Sequence, residues 1–206
     1  MADRARPDAV AGAACHGVRL FWAIIALTVV ARCVAGAVLA APLGADSRAY
    51  TLMAQAMAHG GAPVDQFGNH AFYSIGYPLF LTPLFALFGA HAWVVVAANA
   101  ALAAASGVVM WRIGGALALG MPARLLAVAM HALWVPGIWN SAMPARENLS
   151  VLLLLLVILG ALRILDAARR EYAKGTGRAG RGVLAGALLA GLAYGAAILT
   201  GGSSLL

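Results

Sequence analysis

The chain is divided into long apolar segments that are separated by short basic or polar stretches. At about 1.5 Å per residue, most of these segments approach or exceed the length needed to cross a hydrocarbon layer of about 30 Å as helices. We place spans at residues 20–41, 93–111, 125–139, 149–165 and 183–200. The pattern predicts an all-α, polytopic membrane protein with about five transmembrane helices, a half-helix and an interfacial helix in the first outer loop.

The composition agrees with this fold class and excludes a water-soluble globule. Hydrophobic residues make up 63% of the chain, charged residues only 10%, and the mean hydropathy is +0.88. The formal net charge of +7 does not indicate a nucleic-acid partner, because the basic residues gather in loops between apolar segments. We treat residues 1–206 as a single transmembrane domain with an uncleaved first span and a flexible cytoplasmic N-terminus at residues 1–17.

The distribution of basic residues predicts the orientation. With a cytoplasmic N-terminus, that side receives eleven Lys and Arg residues, the opposite side receives Arg48 and Arg146, and Arg32 lies in the first span. Cytoplasmic loops carry such an excess in multi-pass proteins, here expected in a bacterial-type inner (plasma) membrane. This orientation places three carboxylates on the outer face, namely Asp46, Asp65 and Glu147.

The stretch 43–61 is predicted to be a short helix at the mouth of the first span. Tyr50, Met53, Ala54 and Met57 recur at helical spacing, and two glycines at 60 and 61 end the pattern. A helix of this kind lies in the membrane interface. Asp46 stands at its start, where it has two interpretations: a helix N-cap, or a carboxylate with a chemical function.

Arg32 is unusual because it lies near the middle of the first span. A guanidinium there costs at least about 2.5 kcal/mol on insertion scales, so we expect it to face protein, water or a partner rather than lipid. Two alternatives stay open, an ion pair with an acid and snorkelling toward the interface.

The apolar character that resumes at Gly76 is too long for one span. We divide it into a half-helix at 78–88, a turn at 89–91 and the span at 93–111, after a polar connector at 62–74. A small transporter or assembly partner is a competing hypothesis, but transporters usually carry paired broken helices, and one break, at 83–89, is visible in the sequence.

Two outer-face carboxylates remain as candidates for catalysis, Asp46 after the first span and Glu147 before the fourth. No phosphate-cradling glycine loop, zinc helix or nucleophile elbow is present in the sequence. A carboxylate at a membrane–water boundary is suited to act as a general base. Glu147 has a structural alternative, because an acid just after Pro144 also stabilises a helix N-terminus.

The order of several motifs resembles the N-terminal part of the GT-C glycosyltransferases, which include the protein mannosyltransferases and the lipid A aminoarabinose transferase. The shared pattern consists of Arg32 in the first span, an acid followed by a tyrosine (Asp46 and Tyr50), GYPLFLTPLFALFG at 76–89, and Glu147 opening a very apolar span. The resemblance implies a polyprenyl-phosphate sugar as donor, transfer at the outer face of the membrane lipid bilayer, and inverting displacement.

The resemblance also implies roles for individual residues. Asp46 corresponds to the catalytic acid of the first loop, Glu147 to the second acid, and the candidate substrate-binding residues are Arg48, Tyr50 and Tyr77. No cofactor is required by the pattern, although it leaves room for a divalent cation. A second polypeptide that completes the fold is a further open alternative.

The chain departs from the family pattern at two places. Ser47 stands where many members have a second acid, and Gly201 and Gly202 stand where an arginine and a proline usually follow a threonine. The family would continue with further spans. We therefore expect a truncated glycosyltransferase, with an inactive fragment and a non-enzymatic membrane protein as the alternatives.

Overall fold

The computed structural model describes residues 7–39, 44–70, 72–173 and 180–201, and every regular element in these ranges is a helix. The prediction of an all-α protein is therefore confirmed for the described part of the chain. In chain order the helices are α1 (Pro7–Val38), α2 (Ala45–Ala58), α3 (Gly76–Phe88), α4 (Ala92–Ala116), α5 (Met121–Ala132), α6 (Val135–Ser141), α7 (Arg146–Ala173) and α8 (Arg181–Gly201).

Four of these helices are long and apolar enough to cross a membrane. They are the Cys15–Val38 part of α1, and α4, α7 and α8. The pair α5 and α6 adds a fifth span if the two helices are counted together. The lengths and hydropathy of these helices identify a polytopic membrane protein.

The span formed by α5 and α6 corresponds to the one that the sequence predicts at 125–139, but it is not one continuous helix. It is bent by 49° between α5 and α6, around Leu133 and Trp134. Pro136 explains the break, because it has no N–H to donate to the preceding turn and is favoured only near the start of a helix. The chain thus has a second interruption besides the one predicted at 83–89.

Several sequence-based boundaries change or lie outside the described residues. Helix α1 begins at Pro7, so the region expected to be a flexible N-terminus contributes helix from that residue onward. Helix α7 extends beyond the predicted 149–165 at both ends. The sequence-based predictions for residues 1–6, 40–43, 71, 174–179 and 202–206 lie outside the described ranges, and these residues include four of the eleven basic residues assigned to the cytoplasmic side, as well as Gly202.

Small residues allow the spans to approach one another closely. At Gly160 of α7, an added Cβ would lie 2.8 Å from the backbone N of Ala190 and 2.9 Å from the carbonyl O of Gly186 in α8. At Gly36 of α1, an added Cβ would lie 2.5 Å from the side chain of Val96 in α4. Packing between membrane helices depends on such contacts, because lipid offers no hydrophobic driving force for association.

Arg32 lies inside the protein and not against lipid, as its position in the span predicts. Its side chain is fully buried, and its guanidinium donates to the carbonyl O of Thr28 at 3.2 Å and to that of His131 at 3.5 Å. Neither ion pair found in the described part of the chain includes Arg32. The guanidinium therefore joins α1 to the end of α5 through carbonyl groups, and the alternative of a paired acid is not found among the described residues.

Helices α2 and α3 form a pair at the end of the bundle that follows the first span. The predicted apolar face of α2 is confirmed, since Tyr50, Met53 and Ala54 are buried. This face packs against α3 rather than against lipid alone. The half-helix is also confirmed, and it ends at Gly89, whose φ of 78° favours glycine.

Candidate functional site

Tyr50 of α2 lies at the centre of the candidate site. Its ring is buried and contacts the ring of Tyr73, with the centroids 6.0 Å apart. Burial raises the pKa of the Tyr50 phenol. The charged groups that also act on this phenol are those of Arg146, Asp46 and Glu147. The fold therefore brings the two predicted catalytic carboxylates into the surroundings of one tyrosine, although they are far apart in sequence.

Asp46 is exposed in the first turn of α2. The N-cap of this helix is Gly44, and no described side chain forms a capping hydrogen bond there. The interpretation of Asp46 as the N-cap is therefore wrong, because α2 begins at Ala45 and Asp46 lies within its first turn. Within the described part of the chain, the Asp46 carboxylate takes part in no hydrogen bond or ion pair. An exposed, unpaired carboxylate at this place is available to accept a proton.

Glu147 occupies the first turn of α7, as its structural alternative predicts, and its side chain is 53% exposed. Its carboxylate lies 4.0 Å from Nε of Arg146. The Arg146 guanidinium also donates to Oγ of Ser74 at 3.2 Å, and a Cβ at Gly201 would overlap it. The site thus combines two exposed carboxylates with one partly buried cation.

Tyr77 lies beneath this surface and supports it. Its side chain is fully buried, and its hydroxyl donates to Oδ1 of Asn99 at 3.0 Å. A substrate cannot reach it in this structure, so Tyr77 does not fit the expected role of a substrate contact. Nδ2 of Asn99 donates to the carbonyl O of Met143 at 2.9 Å. The buried pair therefore holds the segment that precedes Arg146.

Arg48 and Asp65 differ in their accessibility to a ligand. Arg48 is exposed on α2, where a ligand can reach it. Asp65 is buried in the connector, where its Oδ1 accepts the backbone N–H groups of Phe67 at 2.8 Å and Asn69 at 2.9 Å. Burial opposes ionisation, but these hydrogen bonds outweigh it and lower the pKa of Asp65. Asp65 therefore organises a turn and is engaged in that role.

An apolar cavity of about 550 Å³ opens beside the site. It lies between the ends of α1, α3 and α4, and Thr51 of α2 contributes to its wall. The segment before Arg146 closes it through Ala142 and Pro144. A cavity of this size, lined mainly by apolar groups, is typical of a ligand site.

Sequence reasoning missed the support provided by Asn99, Arg146 and Tyr73. An asparagine in an Ala-rich span was the available signal for Asn99, because a polar group at membrane depth needs a partner. Arg146 was considered only as one of the two basic residues on the outer side of the membrane. Among the described residues, no three His, Cys, Asp or Glu side chains form a group that could hold a metal ion.

Comparisons of the chain with known protein families, curated proteins and solved structures find no match. The likeness to GT-C glycosyltransferases therefore rests on the sequence motifs described above.

Proposed function

We propose that the protein is a glycosyltransferase that transfers a sugar from a polyprenyl-phosphate donor to an acceptor at the outer face of the membrane. The observation that carries this proposal is the exposed carboxylate of Asp46 on α2, which pairs with no group among the described residues and lies on the helix that also contributes Thr51 to the wall of the apolar cavity. A lipid-linked donor needs both features, an apolar path for its chain and a base at the membrane–water boundary.

The proposed reaction is a single displacement. The Asp46 carboxylate accepts the proton of an acceptor hydroxyl or amine, and the acceptor oxygen or nitrogen forms a bond to the anomeric carbon. The bond between that carbon and the phosphate oxygen breaks, and its electron pair leaves with the polyprenyl phosphate. Attack from the face opposite the leaving group inverts the anomeric centre. A positioned base of this kind typically contributes about 10²- to 10⁴-fold to the rate.

Arg146 supplies the positive charge that a departing phosphate requires. Its guanidinium is partly buried, donates to Ser74 and lies where a side chain at Gly201 would otherwise stand. In the family pattern an arginine follows a threonine at the place where this chain has Thr200 and Gly201. We assign the role of that arginine to Arg146, which lies on α7. Glu147 then orients Arg146, and Arg48 is an exposed cation two residues after Asp46 on α2.

The direct test is donor turnover by the protein reconstituted in lipid vesicles. Polyprenyl phosphates that carry different radiolabelled sugars are supplied with a cell-envelope extract as acceptor, and transferred label is measured. We expect transfer from at least one donor, with release of polyprenyl phosphate in equal amount. Vesicles that contain the Asp46→Asn and Glu147→Gln double variant provide the matched background. Equal label from both preparations with every donor would contradict the proposal.

A non-enzymatic role as a small transporter or assembly partner is the second candidate. It is favoured by the bend between α5 and α6, next to the buried cation Arg32. Interrupted spans and intramembrane charges are both found along transport pathways. Uptake of a labelled sugar or lipid phosphate into the same vesicles, without any covalent transfer, would support this candidate and contradict the first.

A further inference from the structure

A second cavity, here called the arginine groove, lies at the other end of the bundle. It has a volume of about 610 Å³ and is bounded by α1, α4, α5 and α7. Val18 and Trp22 belong to the beginning of the first spanning segment, whereas Asp46 follows its end. The groove is therefore separate from the candidate glycosyltransferase site. Three arginines line it, namely Arg112, Arg124 and Arg163.

The positive charge of the arginine groove is not neutralised within the described part of the chain. None of the residues that line it is acidic, and the ion pairs found among the described residues join Arg146 to Glu147 and Arg170 to Asp166. Three guanidinium groups around one opening repel one another, so an anion placed between them would be strongly attracted.

Arg124 is held in a fixed place in this groove. Its guanidinium carbon lies 3.7 Å from the centre of the Trp111 ring, a cation–π contact. Gly114 leaves room for the side chain, since a Cβ there would lie 2.8 Å from Cγ of Arg124. The Nε of Arg124 is buried and has no hydrogen-bond partner among the described residues. Arg124 is therefore held against Trp111 at the wall of the groove.

The walls of the arginine groove favour a lipid over a free anion. Val18 and Trp22 provide apolar surface beside the arginines, since they are 45% and 56% exposed. Tryptophan and arginine at the end of a span lie at the depth of the lipid headgroups. Basic pockets between transmembrane helices bind anionic headgroups.

We propose that the arginine groove binds an anionic phospholipid. Its phosphate accepts hydrogen bonds from Arg112, Arg124 and Arg163, and one acyl chain lies along Val18 and Trp22. The guanidinium fork of an arginine matches the geometry of a phosphate. The site requires no catalysis, so it stands independently of the proposed glycosyltransferase activity.

The test is lipid binding to the detergent-purified protein, followed by native mass spectrometry and by thermal unfolding. Phosphatidylglycerol and phosphatidylcholine with identical acyl chains are compared, and inorganic phosphate serves as the free anion. We expect phosphatidylglycerol to bind with one-to-one stoichiometry and to raise the unfolding temperature. Phosphatidylcholine and inorganic phosphate should do neither at the same concentration.

Two double variants locate the site. Arg112→Gln with Arg163→Gln removes two groove charges and leaves the packing of Arg124 on Trp111 in place. Arg169→Gln with Arg181→Gln removes two exposed charges outside the groove. The groove variant should bind phosphatidylglycerol about 30-fold more weakly, on the basis of the typical contribution of each basic residue near an anionic surface. The control variant should change binding less than about threefold, because neither of its arginines lines the groove and charges farther from the headgroup are screened by salt.

Three results would overturn the inference. Equal binding of the two phospholipids by the unmodified protein would do so without any variant. Loss of binding in the control variant as large as in the groove variant would show non-specific attraction. Full stabilisation by inorganic phosphate would identify a site for a free anion instead of a lipid.

Discussion

The hydroxyl of Tyr77 in α3 donates to the side-chain oxygen of Asn99 in α4, with the two oxygens 3.0 Å apart. Both side chains are fully buried, and the amide nitrogen of Asn99 donates in turn to the carbonyl O of Met143. The pair therefore connects the half-helix, a central span and the segment that leads to Arg146 and Glu147. The candidate site depends on this connection, because its charged groups come from two different helices. Asp46 lies on α2, whereas Arg146 and Glu147 lie on α7.

Tyr77→Phe tests this connection with the smallest change available. The substitution removes the hydroxyl and leaves Oδ1 of Asn99 buried without its donor, which typically costs about 1–3 kcal/mol. We expect a lower unfolding temperature in detergent and a lower rate of sugar transfer. Tyr194→Phe is the matched control, since Tyr194 is exposed on α8 and should tolerate the change. Equal stability of the two variants would contradict the supporting role of Tyr77.

The sequence was sufficient for the parts of the fold that follow from local chemistry. Periodicity and glycine placement predicted α2, and the proline and glycine pattern predicted the half-helix α3 and the start of α4. The cost of a charge in lipid predicted that Arg32 would face protein. These predictions depend only on residues that are neighbours in the sequence and on the surrounding solvent. One sequence is therefore enough to make them.

The remainder depends on contacts between distant segments. Nothing in the sequence indicated that Asn99 would pair with Tyr77 or that Arg146 would donate to Ser74. The bend at Trp134 was missed because an apolar run looks continuous, although Pro136 was the local signal for it. That the charges of Asp46 and Glu147 both act on the Tyr50 phenol likewise depends on packing between distant segments.

Gly160→Ala tests the close contact between α7 and α8. The added methyl group would lie under 3.0 Å from backbone atoms of α8, so the two helices must separate. Overpacking of this kind typically costs about 1–3 kcal/mol. Gly191→Ala is the control, because a Cβ there meets no atom within 4 Å and alanine is the better helix former. Thermal unfolding in detergent should separate the variants, and equal destabilisation would contradict this packing.

The turn around Asp65 should depend on pH. Because its hydrogen bonds lower the folded-state pKa below the ordinary value of 3.8, the stability that they contribute is present above that value and is lost as the pH falls through the lowered pKa. Hydrogen exchange of the Phe67 and Asn69 amides reports this directly. The Asp65→Ala variant should lose protection of these two amides at neutral pH. The control Asp166→Ala, which changes a carboxylate of α7, should leave their protection unchanged. Protection in Asp65→Ala equal to that of the unmodified protein would contradict the role of the carboxylate.

The orientation that the basic residues predict is testable with two reporter fusions. A reporter fused after Ala173, at the end of α7, should lie in the cytoplasm, and one fused after Gln66 should lie outside. Enzymatic reporters that are active on only one side of the membrane distinguish the two locations. A cytoplasmic signal from the fusion at Gln66 would place Asp46 on the wrong side for transfer at the outer face.

The most direct test of the proposed function is the rate of sugar transfer by Asp46→Asn in the reconstituted protein. Asparagine keeps the size of the side chain, and the loss of charge in the first turn of α2 costs α2 only about 0.3–1 kcal/mol. Asp166→Asn makes the same change at the other end of the bundle, on a carboxylate paired with Arg170, and should leave the rate unchanged. We predict a loss of about 10²- to 10⁴-fold for Asp46→Asn at equal expression. A variant that retained more than about a tenth of the rate, above what the loss of a general base allows, would contradict the account.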